Sequence, residues 1–358
     1  MGQPDQDVPL FVPGRLCLFG EHSDWAAQYG LHSGYCLVIG TDQGLSAVAR
    51  RAEGFVMTTQ LCDSYGRPTG RTRQMSCPWQ GETILGAAKD QGEFFRYGAG
   101  VAYQMMSQAK VRGGIDLHVT SQDLPLRKGV SSSAAVCILV AKAFDAVYEL
   151  GLFPHELMEL AYRGERLTGS QCGRMDQACI YGKTPVLLTF QRSADIRVEP
   201  VFPGGEIPMF FVDLAGRKDT VKILADLQDA YLREQALQRA LGPENERIIR
   251  AAYRALLAGD AERLGALMTE AQQLFDECIA PSSPDELASP LLHEVLGMAG
   301  LGEHVYGGKG VGSQGDGTAQ FVARSASDRD AAVGKITEAR PDMRCFPLTI
   351  IDRRPEAT

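Results

Sequence analysis

Short apolar runs bounded by glycine open the chain. Arg15 to Gly20 (RLCLFG) and Gly34 to Gly40 (GYCLVIG) read as buried strands, and Gly44 to Arg50 alternates loosely. Residues 62–82 are polar and carry Gly66, Pro68, Gly70 and Pro78, the texture of a loop or hairpin. Arg96 to Lys110 predicts a helix, and Ile115 to Thr120 (IDLHVT) alternates as a half-buried strand does. The strongest helical signal runs from Ala134 to Leu150, where Ala, Leu, Val and Phe precede a terminating Gly151. A second helix starts at Pro154, a residue the first turn tolerates, and ends near Thr168. Val186 to Phe190 and Met209 to Leu214 read as strands separated by a turn at 203–205. The texture then becomes helical over 219–240, 244–258, 260–279 and 284–299, with Asp260 as the N-cap of the third stretch. A glycine run at 307–317 leads into a strand, Ala319 to Ala323, and Pro347 to Ile351 predicts a last strand.

At about 150 residues per domain, 358 residues suggest two domains, and the change of texture puts the boundary near 190–205. The division expected is 1–195 and 196–358. Lys and Arg total 36 against 44 Asp and Glu, so the net charge is −8. That balance argues against a nucleic-acid partner, while local backbone dipoles still leave room for a small anionic ligand. The pattern holds no run of about 18 apolar residues, so no membrane partner is expected. The opening MGQPDQDVPLF lacks a basic and an apolar region, so it does not read as a secretory signal, and Gln6 stands where myristoylation needs a hydroxyl. Nine cysteines are scattered without a C-x-x-C pair, which suits reduced thiols and a cytoplasmic location.

Four segments concentrate polar groups where chemistry is done. The first, PGRLCLFGEHSD from Pro13 to Asp24, ends an apolar run in Glu21, His22, Ser23 and Asp24. Polar side chains at a strand end are well placed to meet a ligand, and a solvated turn fits the same residues. In the second, Gly129, Val130, Ser131, Ser132, Ser133 and Ala134 precede the strong helix. The N–H groups and positive dipole end of a helix start bind phosphate, although one serine acting as an ordinary cap accounts for part of the run. The third has Glu165 on a helix and Asp176 after the glycine-flanked stretch GSQCGRMDQ. An acid in such a loop orients a hydroxyl or takes its proton, and a glutamate oxygen suits Mg²⁺; either acid alone also fits a surface charge. The fourth is GGKGVGSQGDG from Gly307 to Gly317. It contains G-x-G-x-x-G, but a strand follows it rather than a helix, so a dinucleotide fingerprint is rejected in favour of a phosphate-lining loop or a flexible hairpin.

Taken in order, these segments resemble the motifs of the GHMP kinases, which include galactokinases, mevalonate kinases and homoserine kinases. PGRLCLFGEHSDW is most similar to the galactokinase N-terminal signature Gly-Glu-His-x-Asp, LPLRKGVSSSAA to the phosphate-binding loop, CGRMDQ to the galactokinase stretch Cys-Gly-x-Met-Asp-Gln, and GGKGVGSQGDG to the glycine-rich third motif. The resemblance implies an α+β, two-domain fold with the active site in the interdomain cleft. It implies ATP as co-substrate and Mg²⁺ as cofactor. It implies Asp176 as the catalytic aspartate and Arg15 as the arginine paired with it. It implies Glu21, His22 and Asp24 as sugar contacts, Gly129 to Ala134 as the phosphate loop, and Ser133 and Glu165 as Mg²⁺ ligands.

Departures from the galactokinase pattern bear on the substrate. Cys17 stands in place of the usual Asn and Trp25 in place of Tyr, and VDLAGRKDTVKILADL lacks the Tyr-Asn-x-Arg-Arg pattern that contributes to galactose recognition. Asp24 still favours a polyhydroxylated acceptor. The expected activity is therefore transfer of the γ-phosphoryl group of ATP to a sugar, at the anomeric C1 hydroxyl of a hexose, uronic acid or higher-carbon sugar. The alternatives are a GHMP kinase for a cyclitol or isoprenoid alcohol, and a non-catalytic sugar and ATP sensor. The sequence sets no oligomeric state.

Overall fold

A computed structural model describes residues 7–62, 68–124, 131–191 and 196–352; the side chains of 62 and 68 are outside that description. In chain order the elements are β1 (Val8–Phe19), α1 (Ser23–Ala26), β2 (Gly34–Ala52), β3 (Phe55–Cys62), β4 (Pro68–Cys77), α2 (Gly81–Lys89), α3 (Arg96–Ser107), β5 (Gly114–Gln122), α4 (Ser132–Tyr148) and α5 (Pro154–Leu167). They continue with β6 (Val186–Phe190), β7 (Ile196–Pro200), β8 (Ile207–Asp213), α6 (Thr220–Tyr231), α7 (Gln235–Arg239), α8 (Asn245–Ala258) and α9 (Ala261–Cys278). The last are α10 (Pro284–Leu287), α11 (Pro290–Leu296), β9 (Val305–Gly310), β10 (Thr318–Ala323), α12 (Ala326–Ala339) and β11 (Arg344–Ile350). The fold mixes helix and sheet, as an α+β chain must.

The chain forms two compact units. The first comprises the described residues within Met1–Arg15, Thr41–Leu126 and Ser131–Gly182; the second comprises those within Leu16–Gly40 and Lys183–Thr358. In the first, β3 and β4 form an antiparallel hairpin, β3 runs parallel to β5, and β5 pairs antiparallel with residues 45–52 of β2. Helix α4 is apolar almost all round and correspondingly buried, from Ala134 to Val147. Helices α3 and α5 cross closely at Gly100, where a Cβ would come within 2.2 Å of the Gly164 carbonyl, so any larger residue there forces the helices apart.

In the second unit, residues 34–38 of β2 pair with β6, and β6 pairs with β7. A separate antiparallel sheet has the order β11-β8-β10-β9. Phe210 stacks on Phe321 on one of its faces, and Phe211 stacks on Phe346 on the other. A core of Trp25, Ile223, Leu227, Tyr231, Leu241 and Phe275 ties the turn after β1 to α6 and α9.

Several elements differ from the sequence expectation for identifiable reasons. The stretch 284–299 is two short helices rather than one. Pro290 has no N–H to give, and Ser289 before it takes φ 49°, outside the helical region. The polar region 62–82 takes the hairpin alternative of the two expected: its described part is mostly β4, paired antiparallel with β3, and the start of α2. The glycine run begins as a strand rather than a loop. Gly307 needs to be glycine because a Cβ would lie 2.1 Å from the Gly265 carbonyl on α9. Asp260 caps α9 as expected, its Oδ1 accepting from the Arg263 N–H at 2.9 Å.

Candidate active site

The first unit gathers the residues suited to phosphoryl transfer. Arg15, on β1, is buried at 2% exposure. Its Nη2 donates to Oδ1 of Asp176 and to the hydroxyl of Ser131, across 161 and 116 positions of sequence. Asp176 opens a short helical turn, Asp176–Tyr181, and its side chain is 26% exposed, so one group of this trio faces out. Ser131 sits at φ 59°, a left-handed conformation unusual for a residue with a side chain. It does not cap α4: its side chain accepts from Arg15, and no side-chain cap bond closes the helix. The first N–H groups of this 17-residue helix are thus not satisfied by a capping side chain, an arrangement that suits an anion. Ser132 and Ser133 occupy its first turn and Ala134 is buried beneath it. Gly129 and Val130 lie outside the described residues.

Two residues after Ser131, the Ser133 hydroxyl donates to Oε1 of Glu165 at 2.8 Å. Oε2 of the same carboxylate accepts from Nε2 of Gln177 at 2.8 Å. Glu165 is 2% exposed. Burial, and then the negative charge of Asp176, push its pKa up to about 7, against the opposing pull of hydrogen bonds from Ser133, Gln177 and Ser170. Gln177 has no exposed surface, and its Oε1 has no hydrogen-bond partner among the described residues. Sequence reasoning gave this glutamine no role. The only signal was its place directly after Asp176.

The oxygen set formed by Ser133 and Glu165 fits Mg²⁺. A magnesium ion is commonly held by one or two carboxylates, with substrate phosphates and water completing its octahedron. A hydroxyl and a carboxylate in contact, at the start of a helix whose N–H groups suit phosphate, supply the protein's share of such a set. Among the described residues no group of three or more His, Cys, Asp and Glu side chains is placed to hold a metal.

In the second unit the turn after β1 carries Glu21, His22 and Asp24, all buried at 7% exposure or less. Gly20 makes the turn: it adopts φ 97°, and a Cβ there would lie 2.2 Å from the Tyr35 carbonyl. His22 follows at φ 69°, and its Nδ1 accepts from the Trp25 indole N–H at 3.1 Å. That bond assigns the proton to Nε2 and makes the ring a neutral imidazole. Ser23 anchors the turn through its hydroxyl, which donates to the Tyr35 carbonyl at 2.6 Å. Glu21 accepts from the ammonium of Lys309, on β9. The sequence reading counted Lys309 as part of a glycine run and missed this partner.

Residues 96–183 match the family model described as the GHMP kinases N terminal domain. The chain is 26% identical over 317 residues to the galactokinase of Chloroflexus aggregans, covering 77% of this chain and 75% of that protein. The crystal structure of Lactococcus lactis galactokinase complexed with galactose superposes with a TM-score of 0.72 at 17% identity, over 99% of this chain and 96% of that one. The Methanococcus jannaschii mevalonate kinase also gives 0.72, at 15% identity, over 98% of this chain and all of that one. At those identities the two structures establish a shared fold. The family match runs from α3 through the Asp176 turn, and beyond it the chain shares the fold of a galactokinase and a mevalonate kinase.

Proposed function

We propose that this chain is an ATP-dependent sugar kinase that transfers the γ-phosphoryl group to the anomeric C1 hydroxyl of a hexose, uronic acid or higher-carbon sugar. The observation that carries the reading is the Arg15 guanidinium, which joins Asp176 and Ser131 at the start of α4. Phosphoryl transfer asks for alignment and charge stabilisation more than for covalent chemistry. Asp176 accepts the hydrogen bond of the acceptor hydroxyl and aims its oxygen. Arg15 fixes the direction of that carboxylate and places positive charge where the transferring group gathers negative charge. Ser131 to Ala134, with Gly129 and Val130 before them, receive the phosphates. Ser133 and Glu165 hold Mg²⁺, which supplies neutralisation of the phosphate oxygens when bound. Glu21, His22 and Asp24 take the acceptor's hydroxyls. The similarity to galactokinases supports a sugar, while the missing Tyr-Asn-x-Arg-Arg pattern favours one other than galactose. The domain division we propose is 1–195, with the phosphate loop, and 196–358, with the third motif; the sugar motif belongs to 1–195 by sequence, while its segment Leu16–Gly40 is counted with the second compact unit. No helix among the described residues is long and apolar enough to cross a membrane, and reliance on ATP suits a cytoplasmic location.

The test is a phosphorylation screen with ATP and Mg²⁺ over free sugars, read by ADP release and by phosphorus NMR for an anomeric phosphate. Asp176→Asn is then expected to lower kcat by about 10²–10⁴ while ATP titration is unchanged. Undiminished turnover in that variant removes Asp176 from the reaction. A screen without ADP release on any sugar overturns the sugar reading.

A further inference from the structure

Two side chains of the second unit are buried, polar and adjacent on a sheet face that otherwise packs aromatic rings. Lys309 on β9 and Gln320 on β10 are directly opposed in the antiparallel register, so they share a face. Lys309 is 1% exposed and Gln320 has no exposed surface. Gln320 is also opposite Phe211, whose ring stacks on Phe346. A lysine and a glutamine on such a face are costly to bury unless each is given a specific partner.

The partners lie on one short stretch of chain. Nε2 of Gln320 donates to the carbonyl of Cys17 at 2.6 Å. The ammonium of Lys309 donates to Oε1 of Glu21 and to the carbonyl of Gly310, the latter at 2.7 Å. The two neighbours therefore grip the segment at either end of Cys17–Glu21, immediately before His22 and Asp24. The stretch they grip contains Gly20 at φ 97° and leads to His22 at φ 69°, two left-handed residues that chain propensity alone does not hold.

We propose that Lys309 and Gln320 are positioning residues for the acceptor: a two-point clamp that holds the Gly20–Asp24 turn in the shape that presents Glu21, His22 and Asp24 to a polyol. Lys309 has a second consequence. It neutralises Glu21 and engages one of its oxygens, so Glu21 meets the acceptor through its other oxygen, which can only accept. The group it recognises is a hydroxyl, and a carboxylate or phosphate on the acceptor is disfavoured at this point. This rests on the sugar-kinase reading for the identity of the acceptor, but not for the clamp itself.

Lys309→Met and Gln320→Met in the full chain test it, with two readouts. Hydrogen exchange by mass spectrometry needs no substrate: peptides covering 16–26 are expected to lose protection in both variants, while those covering 132–167 exchange as in the wild type. With the sugar found in the screen, KM for that sugar is expected to rise about tenfold or more for Lys309→Met and several-fold for Gln320→Met, while KM for ATP stays at the wild-type value. A general loss of structure would move both constants and both sets of peptides. Lys309→Met leaves Glu21 without its counter-charge; if it does not fold, Gln320→Met decides, because it removes no charge. A folded Gln320→Met with wild-type exchange over 16–26 and an unchanged sugar KM overturns the clamp. If no sugar is phosphorylated, the sugar-kinase reading fails and exchange over 16–26 alone decides the clamp.

Discussion

Replacing Glu165 with glutamine is expected to stabilise the protein while it destroys the proposed cation site. The carboxyl titrates near 4.5 when free and at about 7 in the fold, because burial and the Asp176 charge both disfavour its ionised form. A raised acid pKa means that the folded state holds its proton where the unfolded chain has released it. Stability from this group is full below pH 4.5, declines as pH rises, and is lost above about 7. The gap of about 2.5 pH units, at about 1.36 kcal/mol each, amounts to roughly 3 kcal/mol at pH 8. Glutamine keeps the shape and never ionises, so it avoids that cost. The Ser133 hydroxyl still has an oxygen to donate to. The new amide N–H₂ faces the Gln177 amide, and rotation of Gln177 turns its otherwise unpartnered Oε1 toward it. Urea unfolding of ligand-free protein, wild type against Glu165→Gln, reads the difference directly. It is expected to be near zero at pH 4.5, to grow through pH 6, and to level near 3 kcal/mol in favour of the variant above pH 7.5. The other titrating groups are common to both proteins and cancel. A variant equal to or less stable than wild type at pH 8, or a difference that does not change with pH, refutes the reasoning.

The same proton competes with the cation in the proposed reaction. At fixed ATP, the Mg²⁺ concentration for half-maximal rate is expected to rise toward about tenfold for each pH unit below 7, and a pH-independent requirement removes Glu165 from the metal's ligands. Asp260→Ala removes the oxygen that accepts from the Arg263 N–H at the start of α9, and is expected to cost about 1 kcal/mol in urea unfolding with kcat unaffected; no loss shows the cap to be idle.

What the sequence conveyed and what it withheld divide along one physical line. Helices α4 and α5 and strand β6 were legible because their signals are local: an uninterrupted apolar run, a proline at the start, a glycine at the stop. Asp260 was legible as a cap for the same reason, since its partner is three residues on. Helix α12 escaped because only Ala332 and Ile336 of its 14 residues are buried, too thin a stripe to register as a period. Within the candidate site the residue types were visible and their pairings were not. Ser131 reads as a helix cap in any local window; it becomes a partner of Arg15 only because β1 brings an arginine from 116 positions away. Lys309 shows the limit most clearly. In a run of glycines a lysine reads as a solvated charge, and the run itself as a loop. Gly307 packs without a side chain against α9 and Gly308 against Phe321, and the run starts, as far as Gly310, as a strand buried at 308–310. A lysine on a buried strand must find an anion, and the fold supplies Glu21, 288 positions earlier. The identity of that anion is what ties a packing detail to the proposed acceptor: the Gly20–Asp24 turn and the glycine run meet through one ion pair, so, on the proposed function, a change at Lys309 is expected to be felt in the KM for the sugar rather than in the binding of ATP.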